Sequence, residues 1–146
     1  MARIFVSSVV DAPADTVWGA IRDFNGLPSW HPAVAASEIE GGQPSSEVGC
    51  VRVLTLGDGA KIVETLLELS DAKRSVTYNI VESPLGVEGY VATLSVTPIT
   101  DGDRSVVQWT AEFEPAEGQD GAERVEFIGT NVFQAGLTAL VEKAGR

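Results

Sequence analysis

From Ala33 to about residue 114 the chain reads almost without interruption as β-strand, and one helix-length segment follows. Apolar and β-branched residues alternate with polar ones through 33–40, 48–57, 60–70, 74–82, 88–98 and 104–114, the period of strands with one buried face. The breaks between these runs are short and carry turn chemistry: Gly41-Gly42, Gly57-Asp58-Gly59, Asp71-Ala72-Lys73-Arg74, Ser83-Pro84-Leu85-Gly86 and Asp101-Gly102-Asp103. Such breaks leave no room for crossover helices, so successive strands run antiparallel. A sheet of this kind has one face to bury, and the helical patterns able to cover it lie near the two ends of the chain.

At the first end, Arg3 to Val10 reads as a further strand. Asp11-Ala12-Pro13-Ala14-Asp15 then opens a helix, with proline in the first turn and an acid near the positive helix end. Val17, Trp18, Ile21 and Phe24 follow at helical spacing, and Asn25-Gly26 stops the helix. Leu27 to His31 reads as a short helical turn ended by Pro32. At the other end, 119–143 reads as one long helix. On a regular wheel Val125, Ile128, Val132, Phe133, Ala135, Ala139 and Leu140 share an apolar face, with Thr130, Asn131, Gln134, Thr138 and Glu142 opposite. Gly129 and Gly136 fall in the apolar face, where each costs about 1 kcal/mol relative to alanine. They imply either close packing of helix on sheet or space left for something between the two. The expected fold is α+β: a single domain over 1–146, with a seven-stranded antiparallel sheet curled round a long C-terminal helix and two short helices after the first strand. A curled sheet around one helix leaves a tapering hollow, the setting of apolar ligand sites.

Composition removes several functions. Acidic residues outnumber basic ones to a net charge of -11, and Lys and Arg do not cluster, so neither nucleic acid nor an anionic membrane surface is an expected partner. No apolar run nears the roughly 18 residues that cross a bilayer, and Met1 to Val10 lacks the pattern of a secretory signal. A cytoplasmic protein, monomer or homodimer, is expected. Cys50 is the lone cysteine and His31 the lone histidine, so neither a disulfide nor an ordinary zinc site is expected. No glycine-rich phosphate loop opens a helix and no Gly-x-Ser-x-Gly elbow occurs. No cofactor and no metal are expected.

Certain spaced residues carry a family resemblance along essentially the whole chain: Ala12-Pro13-x-x-x-Val17-Trp18, Asp23-Phe24, Leu27-Pro28-x-Trp30-His31-Pro32, Val48-Gly49-x-x-Arg52, Leu66-Leu67-x-Leu69-x-Asp71, Tyr78-x-Ile80 and Tyr90. In their order and spacing they resemble the START-like, helix-grip superfamily known as SRPBCC. That superfamily includes the birch pollen allergens, the polyketide cyclase/dehydrase and lipid-transport proteins and the plant abscisic acid receptors. The resemblance implies the fold strongly and a reaction weakly, because this scaffold serves transport, sensing, cyclisation and hydrolysis. Against the hormone receptors, His31 falls where a lysine meets the ligand carboxylate. Leu54, Leu56, Ile62, Glu64, Tyr78, Ile80, Tyr90, Ala92, Ile128, Val132 and Gly136 fall on positions facing the pocket. The receptors' gating loop is replaced by Gly57-Asp58-Gly59-Ala60 and their basic latch by Leu85-Gly86-Val87, so hormone sensing is not implied.

Several residues can be weighed on chemistry alone. His31 is a candidate general base, acid or donor to a ligand oxygen; equally, it could fix its turn by bonding backbone groups. Alternation puts Glu64 on the face of Ile62 and Leu66. If that face is interior, Glu64 needs a partner, and a His31–Glu64 pair, direct or through water, is expected; otherwise Glu64 faces solvent. Arg52 is assigned an acidic neighbour on the sheet and no catalytic role. Tyr78 and Tyr90 offer phenols either to a ligand or to the rim of the core. Trp30 and Trp109 are expected beside the hollow, Trp109 in its wall. Leu85 and Val87 belong to a loop, 83–90, that is either the mouth of the hollow or an ordinary hairpin. The leading functional expectation is a module that binds a small or medium hydrophobic ligand, polyketide, aromatic or lipid-like, between sheet and C-terminal helix. The alternative is a polyketide cyclase/aromatase-like enzyme using His31 and Glu64 as acid and base. A third is an interaction partner with a vestigial pocket. Convergence of His31, Glu64 and a tyrosine in an open cavity would favour the enzyme; a purely aliphatic lining would favour carriage.

Overall fold

The computed structural model describes Met1–Arg146. Strand β1 (Ala2–Val10) leads into helix α1 (Ala14–Ile21) and a 3-10 turn (Leu27–Ser29). Strands β2 (Val34–Ile39), β3 (Val51–Leu56), β4 (Lys61–Ser70), β5 (Ser75–Glu82), β6 (Val87–Ile99) and β7 (Arg104–Pro115) follow. They form one sheet in the order β1-β7-β6-β5-β4-β3-β2, antiparallel throughout. The seven strands and the meander are those the alternation and turn residues predict, with β1 closing onto β7; the first helix ends at Ile21 rather than at Asn25-Gly26, which leaves Phe24 in the turn beyond it.

Alternation decides what is buried. Ile62, Glu64 and Leu66 of β4 are buried, as are Ser105, Val107, Trp109, Ala111 and Phe113 of β7. Register shifts interrupt the ladders at Val34/Ala36, Val63/Glu64, Leu66/Glu68 and Glu88/Val91. Bulges bend strands and add twist, so they help a long meander to curl. Gly89, at φ +61°, occupies the last of them in a conformation that side chains with a Cβ rarely adopt.

The long helix spans 24 residues but is not uniform. Two α-helical parts, α2 (Gly121–Ile128) and α3 (Ala135–Ala144), flank a π-helical turn, Gly129–Gln134. Asp120 caps α2 by accepting from the Ala122 and Glu123 amides. The helix lies across the sheet's inner face, where Phe133 stacks flat on Trp109 with ring centroids 4.5 Å apart. At the far end, α1 is tied to the β4–β5 turn: the Trp18 indole and the Arg22 guanidinium both donate to Asp71. No helix is long and apolar enough to cross a membrane.

Candidate functional site

Sheet and helix enclose a cavity of about 310 Å³. Leu54, Leu56, Ile62 and Ile80 supply its aliphatic wall from the strands, and Val132 closes it from the π turn. Tyr78, Tyr90 and Trp109 form an aromatic wall, and His31, Arg52 and Glu64 bring polar groups to the inner part. At the mouth stand Leu85, Asp58 and Ala60 on the loops and Arg124, Phe127 and Asn131 on the helix. The 83–90 loop thus borders the opening.

His31 reaches the cavity wall because the 3-10 turn ends at Ser29 and presents the next residues to the helix. Both ring nitrogens are engaged. Nε2 lies 2.7 Å from the Val132 carbonyl oxygen, and Nδ1 accepts from the Ala33 amide at 3.1 Å. That pattern requires the neutral ring with its proton on Nε2. Burial lowers the histidine's proton affinity and the nearby Arg52 charge lowers it further, against the pull of the Val132 carbonyl. The ring also occupies the space a side chain at 136 would need. A Cβ on Gly136 would fall 2.6 Å from His31 Cδ2 and 2.9 Å from Trp109 Cζ3. Of the two readings of this glycine, the structure selects close packing, and the group packed there is His31. The histidine thus ties its own turn to the helix backbone while lining the cavity.

No direct His31–Glu64 hydrogen bond is formed. Arg52 stands directly opposite Glu64 in the β3–β4 register and takes the carboxylate first. Arg52 Nε donates to Glu64 Oε1 at 2.8 Å and Nη2 lies 2.6 Å from the same oxygen. Nη1 donates to the Phe24 carbonyl at 2.6 Å. The guanidinium is held between two aromatic faces, 3.9 Å from the Phe24 centroid and 4.9 Å from that of Tyr78. Both partners are buried. Burial pushes the Glu64 carboxyl up from its ordinary range, and Arg52 opposes that rise. The Trp109 indole donates to the Tyr78 hydroxyl at 3.0 Å. Burial raises both tyrosines, Tyr90 well above the ordinary phenol range, so both stay neutral donors.

Other expected lining residues lie off the cavity. Trp30 packs behind its wall, its ring 5.7 Å from Trp109 and 5.8 Å from His31, beside a void of about 10 Å³ too small to hold more than a single water. Ala92 sits between Tyr78 and Ala111 in the sheet, buried and off the cavity lining. Val87 opens β6 opposite Pro115 and packs half-buried at the sheet's end. Ile128 is fully buried in the core, and Gly136 is covered by His31. In the other direction, Asn131, placed by a regular wheel on the far side, lines the cavity. Arg52, Arg124 and Phe127 also line the cavity without having been expected there. Arg52 could have been found: the alternation that turns Leu54 inward turns Arg52 inward too. For Arg124 and Phe127 the signal is their helical spacing with Asn131, visible only once the cavity face is known.

An antiparallel sheet gripping a long helix over a largely apolar cavity defines the helix-grip class of protein. The chain belongs to the polyketide cyclase / dehydrase and lipid transport family, whose profile matches residues 1–145. It is similar to the solved structure of protein XoxI from Bacillus cereus, at 32% identity over 99% of this chain and 96% of that one, with a TM-score of 0.88. A protein from Thermobifida fusca is 34% identical over 100% of this chain and 95% of its own, with a TM-score of 0.87. A protein from Nitrosospira multiformis is 30% identical over 97% and 95%, with a TM-score of 0.83. No curated protein matches the sequence.

Proposed function

We propose that the protein encloses a small, largely apolar molecule between sheet and helix and holds it without changing it. The observation that supports this most is the commitment of His31: with both nitrogens bound to backbone groups in the cavity wall, the lone histidine has no free site for proton transfer. The cavity volume narrows the size class. About 310 Å³ holds on the order of ten water-sized groups, enough for one or two rings or a short chain but not for an extended polyketide or a two-chain lipid. Native mass spectrometry of protein taken from its own cells tests the reading, with an added mass of a few hundred daltons or less expected. A bare protein mass, together with no change in the thermal midpoint on adding single-ring and two-ring aromatics or short fatty acids, would rule it out.

A second reading, a cyclase/aromatase-like enzyme, rests on Glu64. Arg52 engages only its Oε1, and Glu64 shares the cavity wall with Tyr90. A carboxyl raised by burial can hand over a proton while a phenol holds an enolate oxygen. His31 has no part in it. The test is a short poly-β-ketone substrate: aromatic product formed by the wild type and lost in Glu64→Gln supports the enzyme, and equal rates in both remove Glu64 from the mechanism.

A further inference from the structure

The mouth of the cavity holds a cation that the protein itself does not neutralise. Arg3, Arg22, Arg52, Arg74 and Arg146 each stand against a carboxylate. Arg104, on the far turn beside Asp101, and Arg124 have none within 4.0 Å, and of the two only Arg124 borders the cavity. Its hydrogen bond is a long one, from Nη1 to the Leu85 carbonyl at 3.4 Å. Its Nε is buried with no partner, the only side-chain nitrogen or oxygen in the molecule so placed. A buried donor left unpaired is costly and calls for an explanation. Here the edge of the guanidinium formed by Nε and Nη2, the edge that grips a carboxylate with two parallel bonds, has no protein acceptor. The guanidinium rests 5.1 Å from the Phe127 ring, and Phe127 and Asn131 extend the same helix face over the cavity.

We infer that Arg124 anchors a carboxylate on the cavity's ligand, so that the ligand class is small aromatic or short aliphatic acids, bound head outward. The inference rests on the proposal that the cavity takes a small apolar molecule, and it adds the head group. The apolar body lies against Leu54, Ile62 and Ile80, and turning the terminal torsions of Arg124 brings its open edge to the acid. Charge selects a single negative group. Asp58 borders the same mouth and the whole chain carries -11, so a doubly charged phosphate would keep an uncompensated charge beside Asp58 where one guanidinium balances a carboxylate.

The test compares 2-naphthoate with its neutral isostere 2-naphthamide, by calorimetry at low salt and neutral pH. The naphthoate is expected to bind about tenfold more tightly, the size of one charge-assisted pair at a half-exposed site. Arg124→Gln is expected to bring the acid down to the affinity of the amide, and Arg124→Lys to restore part of the preference. Arg124 is half-exposed and outside the packed core, so the variants fold. Equal binding of acid and amide by the wild type overturns the inference and leaves the cavity's role in binding intact. A preference that survives Arg124→Gln overturns it as well. If neither compound binds, the reading of the cavity as a site for molecules of this size falls, and the inference with it.

Discussion

The inner end and the mouth of the cavity are both lined with charged and polar residues, yet they are built in opposite ways. Inside, most such groups are held within the fold: His31 by two backbone groups, Glu64 through Oε1 by Arg52, Arg52 by Glu64, a carbonyl and two aromatic faces, Tyr78 by Trp109. At the mouth, Arg124 keeps an unpaired nitrogen, and Phe127 and Asn131 are exposed. Polar groups satisfied within the fold define the shape of the hollow, and those left open are free to meet what enters it. Residue type alone does not separate the two roles, since each end contains an arginine on the cavity wall.

If the inner end is architecture, breaking it costs stability. The largest effect is expected for Arg52→Met, which strands the buried Glu64 charge and lowers unfolding free energy by about 3–5 kcal/mol; urea denaturation measures it. Arg52→Met combined with Glu64→Leu is expected to recover most of that loss, because the uncompensated charge is then gone. Gly136→Ala comes next. Its methyl meets His31 and Trp109, and a loss of about 1–3 kcal/mol from overpacking exceeds the ~1 kcal/mol gained in helix propensity. In a His31→Ala background the cost of Gly136→Ala shrinks to that of the remaining Trp109 contact, so a double-mutant cycle reads the His31 contact directly.

A smaller effect follows from pH. The folded ring of His31 binds its proton less readily than the ordinary value of 6.5 allows. Below that value the unfolded chain therefore holds more protons than the folded one. The histidine's contribution to stability is complete above pH 6.5 and declines as pH falls toward the lower folded value. His31→Gln is expected to flatten this part of the profile, seen in urea midpoints from neutral to about pH 5. The smallest stability effects belong to the mouth: Arg124→Gln and Asn131→Ala are expected to shift unfolding by no more than about 0.5 kcal/mol. A large loss there would erase the distinction between the two ends.

The sheet was legible because alternation reports directly on which face is buried, and it carried Glu64 inward with Ile62 and Leu66. The partner of Glu64 was harder. His31 suits the carboxylate in chemistry but not in position: the β3–β4 pairing sets Arg52 opposite Glu64 and leaves His31 to the helix. Distance across a sheet depends on turn length and bulges, which a list of candidate residues does not contain. The helix face was legible on its core side and failed at Asn131, which shares regular helical spacing with Arg124 and Phe127 on the more polar side that borders the cavity. The unpaired state of Arg124 is a property of what surrounds it, and no pattern along the chain encodes an absence of neighbours.

The π turn has a consequence for how this chain tolerates changes in length. A turn that takes one extra residue is, in effect, an insertion absorbed inside a helix, and it lets the two halves face different surroundings. The half before it looks onto the cavity mouth, while the half after it lays Gly136, Leu137 and Leu140 into the core. Deleting one residue between Gly129 and Gln134 would restore a regular helix and keep nearly all of its hydrogen bonds. It would also turn the mouth residues away from the opening, or lift the core residues out of their packing. Residue count in this segment therefore acts as a register setting, and a change harmless to helix formation would still separate the lid of the cavity from its floor.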